Sequence, residues 1–412
     1  NSVIAASCGD HARVMRGGQA VRIIAEPTMR LSLVSETYPP EINGVALTVR
    51  DLAHGLAARG HSVQVVRPRR EDRHNEPGIV GLDVAGLALP HYPGLRIGLP
   101  ARALLRRTWA ATPPDAVYIA TEGPLGWSAL DIARRLQIPV CTGFHTRFGD
   151  YASHYGIGWL TPLVWSWLRR FHRRAAATLV PTRALAHELR ERGIDNALVL
   201  HRAVDADLFH PRHRDLALRA AWGAGANDPV VIYVGRIAAE KNLDLAVRAF
   251  RALQERVPTA RFVWVGDGPV RARLAAANSD FFFAGALGGE DLARHYASAD
   301  LFAFPSLTET FGNVTLEAMA SGLAVVAFDR GAAHEHLADG ICGMRVPVDD
   351  AAGFVGAVLA LGLDDALRDR QRENARLHAA ALSPAKVIGQ FESLLWQLAV
   401  EKPHAPAVAA RI

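Results

Sequence analysis

The sequence predicts an α/β protein of two doubly wound parallel-sheet domains. Three observations carry that expectation: a length of 412 residues, short β-branched apolar runs alternating with amphipathic helical stretches, and a polar break near the middle. A chain of this length exceeds what one hydrophobic core usually supports. Strand-like runs that alternate with helices build parallel sheets covered on both faces. Half of the residues are hydrophobic and 21% are charged, the balance of a folded globular chain.

In the first half the strand candidates are 31–35, 62–66, 116–120, 139–143, 178–181 and 197–200. Helices fit between them at 45–59, 127–136 and 183–192. The polar, Pro- and Gly-bearing stretch 205–228 reads as a linker with one short helix at 216–222, so the first domain is expected at 29–204. A second domain at 229–382 restarts the rhythm with strands at 229–234, 261–265, 281–284, 301–304, 323–328 and 343–346. The tail 383–412 opens with a helix placed to pack back on the first domain. Residues 1–28, with Arg13, Arg16, Gly17 and Gly18, read as an N-terminal extension that lacks the apolar run of a signal peptide.

Lys and Arg number 46 against 41 Asp and Glu, too small a surplus to indicate a nucleic-acid partner. Cys8, Cys141 and Cys342 have no CxxC spacing and read as free thiols of a reducing compartment, which points to the cytoplasm. No run approaches the 18 or more apolar residues of a membrane span, so attachment to the inner face of a membrane would be peripheral.

Two doubly wound domains bind ligands beyond the carboxyl ends of their strands, in the cleft between them. Four segments sit at such ends. The first, 304–322, reads strand, loop, helix, with Asn313 as helix N-cap and Gly322 as C-terminal stop. The amides at that helix start form an anion site suited to a diphosphate. Glu309 in the loop and Glu317 in the helix reach the cleft at different depths, one for sugar and one for ribose hydroxyls; the competing reading is a solvated helix residue and a turn cap. The second segment, 233–242, sets the cations Arg236 and Lys241 beside the same cleft, or leaves them as surface charges. In the third, 38–46, Gly44 lets a phosphate or sugar approach the backbone, or simply makes a turn. The fourth carries His145, which could bond a donor hydroxyl, although a lone histidine is more often structural.

Together these motifs become specific. PSLTETFGNVTLEAMASG holds Glu309 and Glu317 in EX7E spacing, and a GR pair is followed by a lysine five residues after the arginine. PPEINGV follows the first strand, and FHT and FAGALGGEDLARHYASADLF complete the set. In this order they resemble the retaining glycosyltransferases of family four, with the GT-B fold, over residues 29–400. The texture, including Arg202, Ala203, Val204 and Asp205, is similar to lipid-modifying mannosyl and sulfoquinovosyl transferases. The resemblance implies Arg236 and Lys241 on the diphosphate, Glu317 on the ribose, and Glu309 and His145 on the donor sugar, with Arg236, Lys241, Glu309 and His145 as the catalytic set. It places Thr310 and the amides of Phe311, Gly312 and Asn313 nearby, Gly44 in the loop facing the phosphates, and the main chain near Leu287 against the base. Many members have Gly-Gly where Asn43-Gly44 stands here, which leaves contacts at that loop open.

The reaction so implied moves a hexose from GDP-mannose or a UDP-sugar to a hydroxyl of a lipid or glycan, with no cofactor beyond the donor and no metal. A nucleotide-sugar-binding module, an epimerase or a phosphorylase on the same architecture are the alternatives. Asp205-Ala206-Asp207 matches the DxD of metal-dependent transferases but lies in the linker and reads as coincidence. Gly266-Asp267-Gly268 lacks the third glycine of a dinucleotide fingerprint and reads as a turn near the nucleotide. His334-Glu335-His336 lacks a third spaced ligand and reads as a surface cluster. The stretch Trp159 to Arg174 mixes tryptophans with a basic end, which suits either an anionic membrane surface or a helix with aromatic core contacts.

Overall fold

The computed structural model describes residues 28–41, 43–70, 76–88, 96–145 and 161–400. Among the described residues nine strands precede the polar break: β1 (Arg30–Val34), β2 (Ser62–Pro68), β3 (Ile79–Val84), β4 (Gly86–Ala88), β5 (Arg96–Gly98), β6 (Ala116–Ile119), β7 (Val140–Gly143), β8 (Ala177–Val180) and β9 (Ala197–Val199). Seven of them form a parallel sheet in the order β3-β2-β1-β6-β7-β8-β9, while β4 and β5 pair as an antiparallel hairpin. β6, β7 and β8 are buried along their whole lengths, as expected of strands covered on both faces. The cover is α1 (Gly44–Ala58), α2 (Arg102–Ala111), α3 (Pro124–Arg135), α4 (Thr161–His172) and α5 (Arg183–Glu191).

The second sheet comprises β10 (Val230–Val234), β11 (Arg261–Val265), β12 (Phe282–Gly285), β13 (Leu301–Phe304), β14 (Ala324–Phe328) and β15 (Met344–Val346), in the order β12-β11-β10-β13-β14-β15. Its helices are α6 (Leu216–Ala221), α7 (Leu243–Arg256), α8 (Arg271–Ala277), α9 (Gly289–Ser298), α10 (Asn313–Ala320), α11 (Gly331–His336), α12 (Ala351–Leu363) and α13 (Asp365–Ala380). In both sheets the first strand is central. β1 lies between β2 and β6, and β10 between β11 and β13. The chain therefore reverses its direction of travel across each sheet beside β1 and beside β10, and the crevices open past the carboxyl ends of those strands.

The last helix, α14 (Pro384–Val400), crosses back as expected. Phe391 and Leu395 are buried in the core of the first domain with Met29, Leu31 and Leu56. A methyl group at Gly55 of α1 would lie 2.2 Å from Ile388 Cδ1, so only glycine lets the two helices approach this closely. Glu392 accepts from Arg59 Nε at 2.6 Å, and the buried His61 gives its Nε2–H to Glu392 at 2.7 Å while its Nδ1 accepts from Met29 N at 3.1 Å. Glu392→Ala removes both anchors and is expected to lower stability by about 1–3 kcal/mol in urea unfolding, because the buried imidazole loses its acceptor.

Two features of the fold go beyond the sequence reading. Strand β3 and the β4–β5 hairpin were not foreseen, since Gly81 and Asp83 interrupt the apolar pattern of β3 and all of its residues but Val84 remain exposed or partly so. The stretch 205–228 does not hang as a linker. Phe209, Trp222 and Ala224 are buried in the second core, and Arg219 of α6 donates to Asp300 Oδ2 at 3.0 Å and to Ser298 O at 2.7 Å.

Candidate functional site

The loops that follow the central strands bring the foreseen residues to one crevice. After β10, Gly235 adopts φ +147, and the backbone turns beneath the Gly266–Gly268 loop, where Asp267 O accepts from Ile237 N at 2.9 Å. Side chains at Gly266 or Gly268 would strike Gly235 O at 1.9 Å and Ile237 O at 2.3 Å. The Gly266-Asp267-Gly268 turn is thus the platform of the Arg236 loop. Arg236 pairs with Glu240, and Lys241 Nζ donates to Glu309 Oε1 at 2.5 Å. The same oxygen accepts from Ser306 Oγ at 2.9 Å, which pins the Glu309 carboxylate from two sides. The Lys241–Glu309 pair is largely withdrawn from water, while Arg236 is 35% exposed and is tethered by the buried Glu240.

The start of α10 differs from the sequence reading. Its N-cap is Gly312 at φ +87, with no side-chain cap, and Asn313 is the first helical residue. Glycine reaches this left-handed conformation without strain, and a methyl group there would lie 3.4 Å from the Glu309 side chain. A helix whose first amides lack a capping side chain can turn them toward an anion. Asn313 instead faces the other domain: its Nδ2 lies 3.9 Å from where a side chain on Gly44 would begin. Gly44 opens α1, whose cap is Asn43, with Oδ1 accepting from Val45 N at 3.1 Å and Ala46 N at 2.9 Å. Two helix N-termini therefore meet across the crevice. The domains also touch where Glu335 Oε2 accepts from Arg183 N at 3.3 Å and Glu335 Oε1 lies 3.8 Å from His201 Nδ1.

Glu317, one turn into α10, accepts from Tyr296 Oη at 3.1 Å. Burial pushes its carboxyl up to about 7, and the Tyr296 hydrogen bond offsets only part of that rise. Thr310 stands partly exposed in the loop beside Glu309, and Phe311 packs edge-on against His336, 5.9 Å between centroids. Leu287, past β12, is partly buried against the second core, next to Gly285, Gly288 and Gly289, around which a side chain would meet nothing within 4 Å.

His145, at the end of β7, is already engaged: Nε2 is 2.6 Å from Tyr118 Oη, and Nδ1 accepts from Arg202 Nη2 at 2.6 Å. No ring nitrogen is left over for a sugar hydroxyl in this arrangement. Sequence reading missed Tyr118 and Arg202, as well as Tyr296 and Arg330, whose Nη1 donates to Leu307 O and braces the Glu309 loop. Only the glycine beside Arg330 hinted at the last: Gly331 sits at φ +58, where a side chain would strike Phe311 O at 2.3 Å.

Asp205 Oδ1 accepts from Asp207 N and Leu208 N, both at 3.0 Å, so that pair of aspartates shapes a turn. His336 is no surface residue; it is buried between Phe311, His201 and His378, whereas His334 pairs with Asp329. Among the described residues no cluster of three or more His, Cys, Asp or Glu could hold a metal ion. Cys141 and Cys342 are free and buried; Cys8 lies outside the described residues. Trp159 and Leu160 also lie outside them. In α4, Leu168, Phe171 and His172 are buried while Leu163 and Trp167 are exposed, so the helix has both a core face and an apolar outer face.

The comparisons with known proteins fall on the same ground. Residues 42–208 match the model described as Glycosyltransferase Family 4, and residues 228–364 the one described as Glycosyl transferases group 1. A GDP-mannose-dependent alpha-mannosyltransferase of Corynebacterium glutamicum is 33% identical over 82% of this chain and 81% of its own. Its counterpart from Mycobacterium tuberculosis is 34% identical, over 78% and 85%. The chain belongs to the family 4, group 1 glycosyltransferases. This glycosyltransferase is also similar to the sulfoquinovosyl transferase SQD2 of Arabidopsis thaliana, 36% identical over 73% of this chain and 60% of that one. Solved structures show the fold: a sucrose-phosphate synthase from Thermosynechococcus elongatus superposes with a TM-score of 0.72 at 20% identity, covering 90% of this chain and 99% of that one. WaaG, a glycosyltransferase involved in lipopolysaccharide biosynthesis, gives 0.68 at 18%, over 89% and 99%. The glycosyltransferase has the GT-B fold and transfers a hexose from a nucleotide sugar to an acceptor.

Proposed function

We propose that the chain is a retaining mannosyl- or UDP-sugar transferase whose donor diphosphate lies between Arg236, Lys241 and the first amides of α10, and whose acceptor is a lipid. The observation that carries the placement is the convergence of two restrained cations with an uncapped helix start at a topological switch point. The lipid acceptor rests on the relatives' names, which include sulfoquinovosyl transferase and alpha-monoglucosyldiacylglycerol synthase, and on the exposed Leu163 and Trp167 beside the basic end of α4. No helix among the described residues is long and apolar enough to cross a membrane. Contact with an anionic bilayer would then come through this helix. The domain limits we propose, 29–204 and 229–382, enclose the two sheets, with 205–228 packed on the second.

In this reading the bond between the anomeric carbon and the β-phosphate oxygen breaks, leaving an oxocarbenium-like sugar and an electron pair on the diphosphate. Arg236, Lys241 and the α10 amides meet that charge with dipoles already in position. The acceptor oxygen attacks from the face that the diphosphate leaves, its proton passes to the departing phosphate oxygen, and configuration is retained. Glu309, fixed by Lys241 and Ser306, orients sugar hydroxyls; His145 borders the sugar; Gly44 admits the phosphates from the first domain; the main chain near Leu287 faces the base. No step calls on a metal.

Glu317 is assigned to the ribose. Its raised pKa sets the sign of a pH effect: below about 7 the carboxyl is protonated in the free protein, and only the ionised form accepts two hydroxyls at once. Donor KM is expected to fall as pH rises through that value, and Glu317→Gln to flatten the dependence, in initial-rate measurements between pH 5.5 and 8. The donor and acceptor are tested by turnover with GDP-mannose, UDP-glucose and UDP-sulfoquinovose on diacylglycerol-based glycolipids. Product on a soluble glycan but on no lipid would overturn the acceptor assignment.

A further inference from the structure

Arg202, Tyr118 and Gly143, none of them given a role in the site by the sequence, set the imidazole of His145. Arg202, just past β9, brings Nη2 to 2.6 Å from Nδ1. A guanidinium only donates, so Nδ1 is the bare nitrogen, the ring proton sits on Nε2, and that proton points at Tyr118 Oη, 2.6 Å away on β6. The third residue is Gly143. A side chain there would begin 2.3 Å from Tyr118 Oη and 2.4 Å from His145 Nε2, so the Tyr118–His145 bond exists only because position 143 has none. Tyr118 is in turn braced edge-on by Phe391 of α14, 5.1 Å between centroids, which ties the arrangement to the returning tail.

We propose that Arg202 is a positioning residue for the transfer: with Tyr118 it fixes the His145 ring in one orientation and one neutral tautomer beside the donor sugar. This rests on the reading of His145 as bordering that sugar. The chemistry favours a neutral ring, because a proton on Nδ1 would set a second positive charge near the developing oxocarbenium centre. Burial holds the His145 pKa well below its usual value, with Arg202 and then His172 adding to the fall. The other ionisable groups around the trio are Cys141 on β7, Glu122 past β6, and Asp51 on α1, which faces Arg202. The carboxylates act on Tyr118 and Arg202, leaving Arg202 and then His172 as the charges that act on the ring itself.

The test uses the whole chain, in which Arg202→Met and Arg202→Lys are compared with the parent protein. Histidine-selective ¹⁵N spectra read the tautomer, and kcat/KM is followed from pH 5 to 8. The parent is expected to show a single neutral Nε2–H form for His145 that does not titrate, and no histidine limb in its rate profile. Arg202→Met is expected to show mixed tautomers and, with one of the charges that depress the His145 pKa removed, a new acid limb within that pH range. Its kcat/KM should fall about 10- to 100-fold, by analogy with removal of the orienting partner of a metal-bound histidine. The limb should vanish in Arg202→Met with His145→Gln, and Arg202→Lys, which keeps a donor at Nδ1, should recover most of the rate. An unchanged tautomer in a folded Arg202→Met protein would overturn the proposal. Full activity in His145→Ala with an altered tautomer in Arg202→Met would instead remove His145 from the sugar and leave the fixing of the ring intact.

Discussion

Lys241→Ala is expected to lower kcat by about two to three orders of magnitude, the loss that follows removal of one preorganised donor from developing charge. Two effects act together. The diphosphate loses a cation as the electron pair arrives, and Glu309, which shares its Oε1 between Lys241 and Ser306, keeps only the serine and drifts from the sugar hydroxyls. Lys241→Arg should recover little, because the planar guanidinium cannot take the place of a compact ammonium between a carboxylate and a phosphate. Steady-state rates with saturating donor give the measurement, and a thermal melt shows that the fold is kept. Turnover near that of the parent protein would remove Lys241 from the site.

Asp300→Ala is expected to destabilise the second domain by about 3–5 kcal/mol, the usual result of removing one partner from a buried ionic cluster. Asp300 accepts from Arg214 Nη2 at 2.9 Å, Arg219 Nη1 at 3.0 Å and Val230 N at 2.9 Å, with Arg372 Nη1 at 3.7 Å. Arg219 is 1% exposed, so its charge cannot retreat to water. Burial by itself would raise the Asp300 pKa, but Arg214, Arg219 and Arg372 outweigh it and hold the carboxyl below the usual carboxylate range. Folding makes this group easier to ionise. Its contribution is therefore complete above the ordinary carboxylate range and is lost as pH falls through the lowered pKa. Urea unfolding at neutral pH and below pH 4 checks both statements. An unchanged midpoint would mean that the Arg214–Arg219 stretch does not anchor to the second sheet.

Much of this molecule is legible in its sequence because the deciding signals are local. Leu301–Phe304 is a four-residue apolar run closed by Pro305, and Gly322 ends the helix that follows at φ +73; both need only neighbouring residues to be read. The expectation that α14 returns to the first domain came from chain position, and the fit of Ile388 against Gly55 supplies the physical reason. Asn313 was misplaced by one residue because cap preferences rank Asn high, whereas the backbone required a left-handed residue and Gly312 met that need. The His145 partners are 27 and 57 residues away in the chain, and Tyr296 is 21 residues from Glu317. Pairings at such separations leave no periodicity or spacing in the sequence. The His145 pairings arise only when β6, β7 and β9 line up in one sheet, and the Tyr296–Glu317 pairing only when α9 meets α10. The segment 205–228 shows the same limit: its Pro, Gly and charged residues read as a tether, and nothing local announces that Arg214 and Arg219 meet Asp300.

The central claim is that the donor diphosphate sits between Arg236, Lys241 and the start of α10. A crystal soaked with GDP, and a second with UDP, tests it most directly. The β-phosphate is expected within hydrogen-bond distance of the Arg236 guanidinium, the Lys241 ammonium and at least one amide of Gly312 or Asn313, with the ribose hydroxyls on Glu317. A nucleotide bound elsewhere, with these groups still paired to Glu240, Glu309 and Tyr296 and no phosphate beside them, would contradict it.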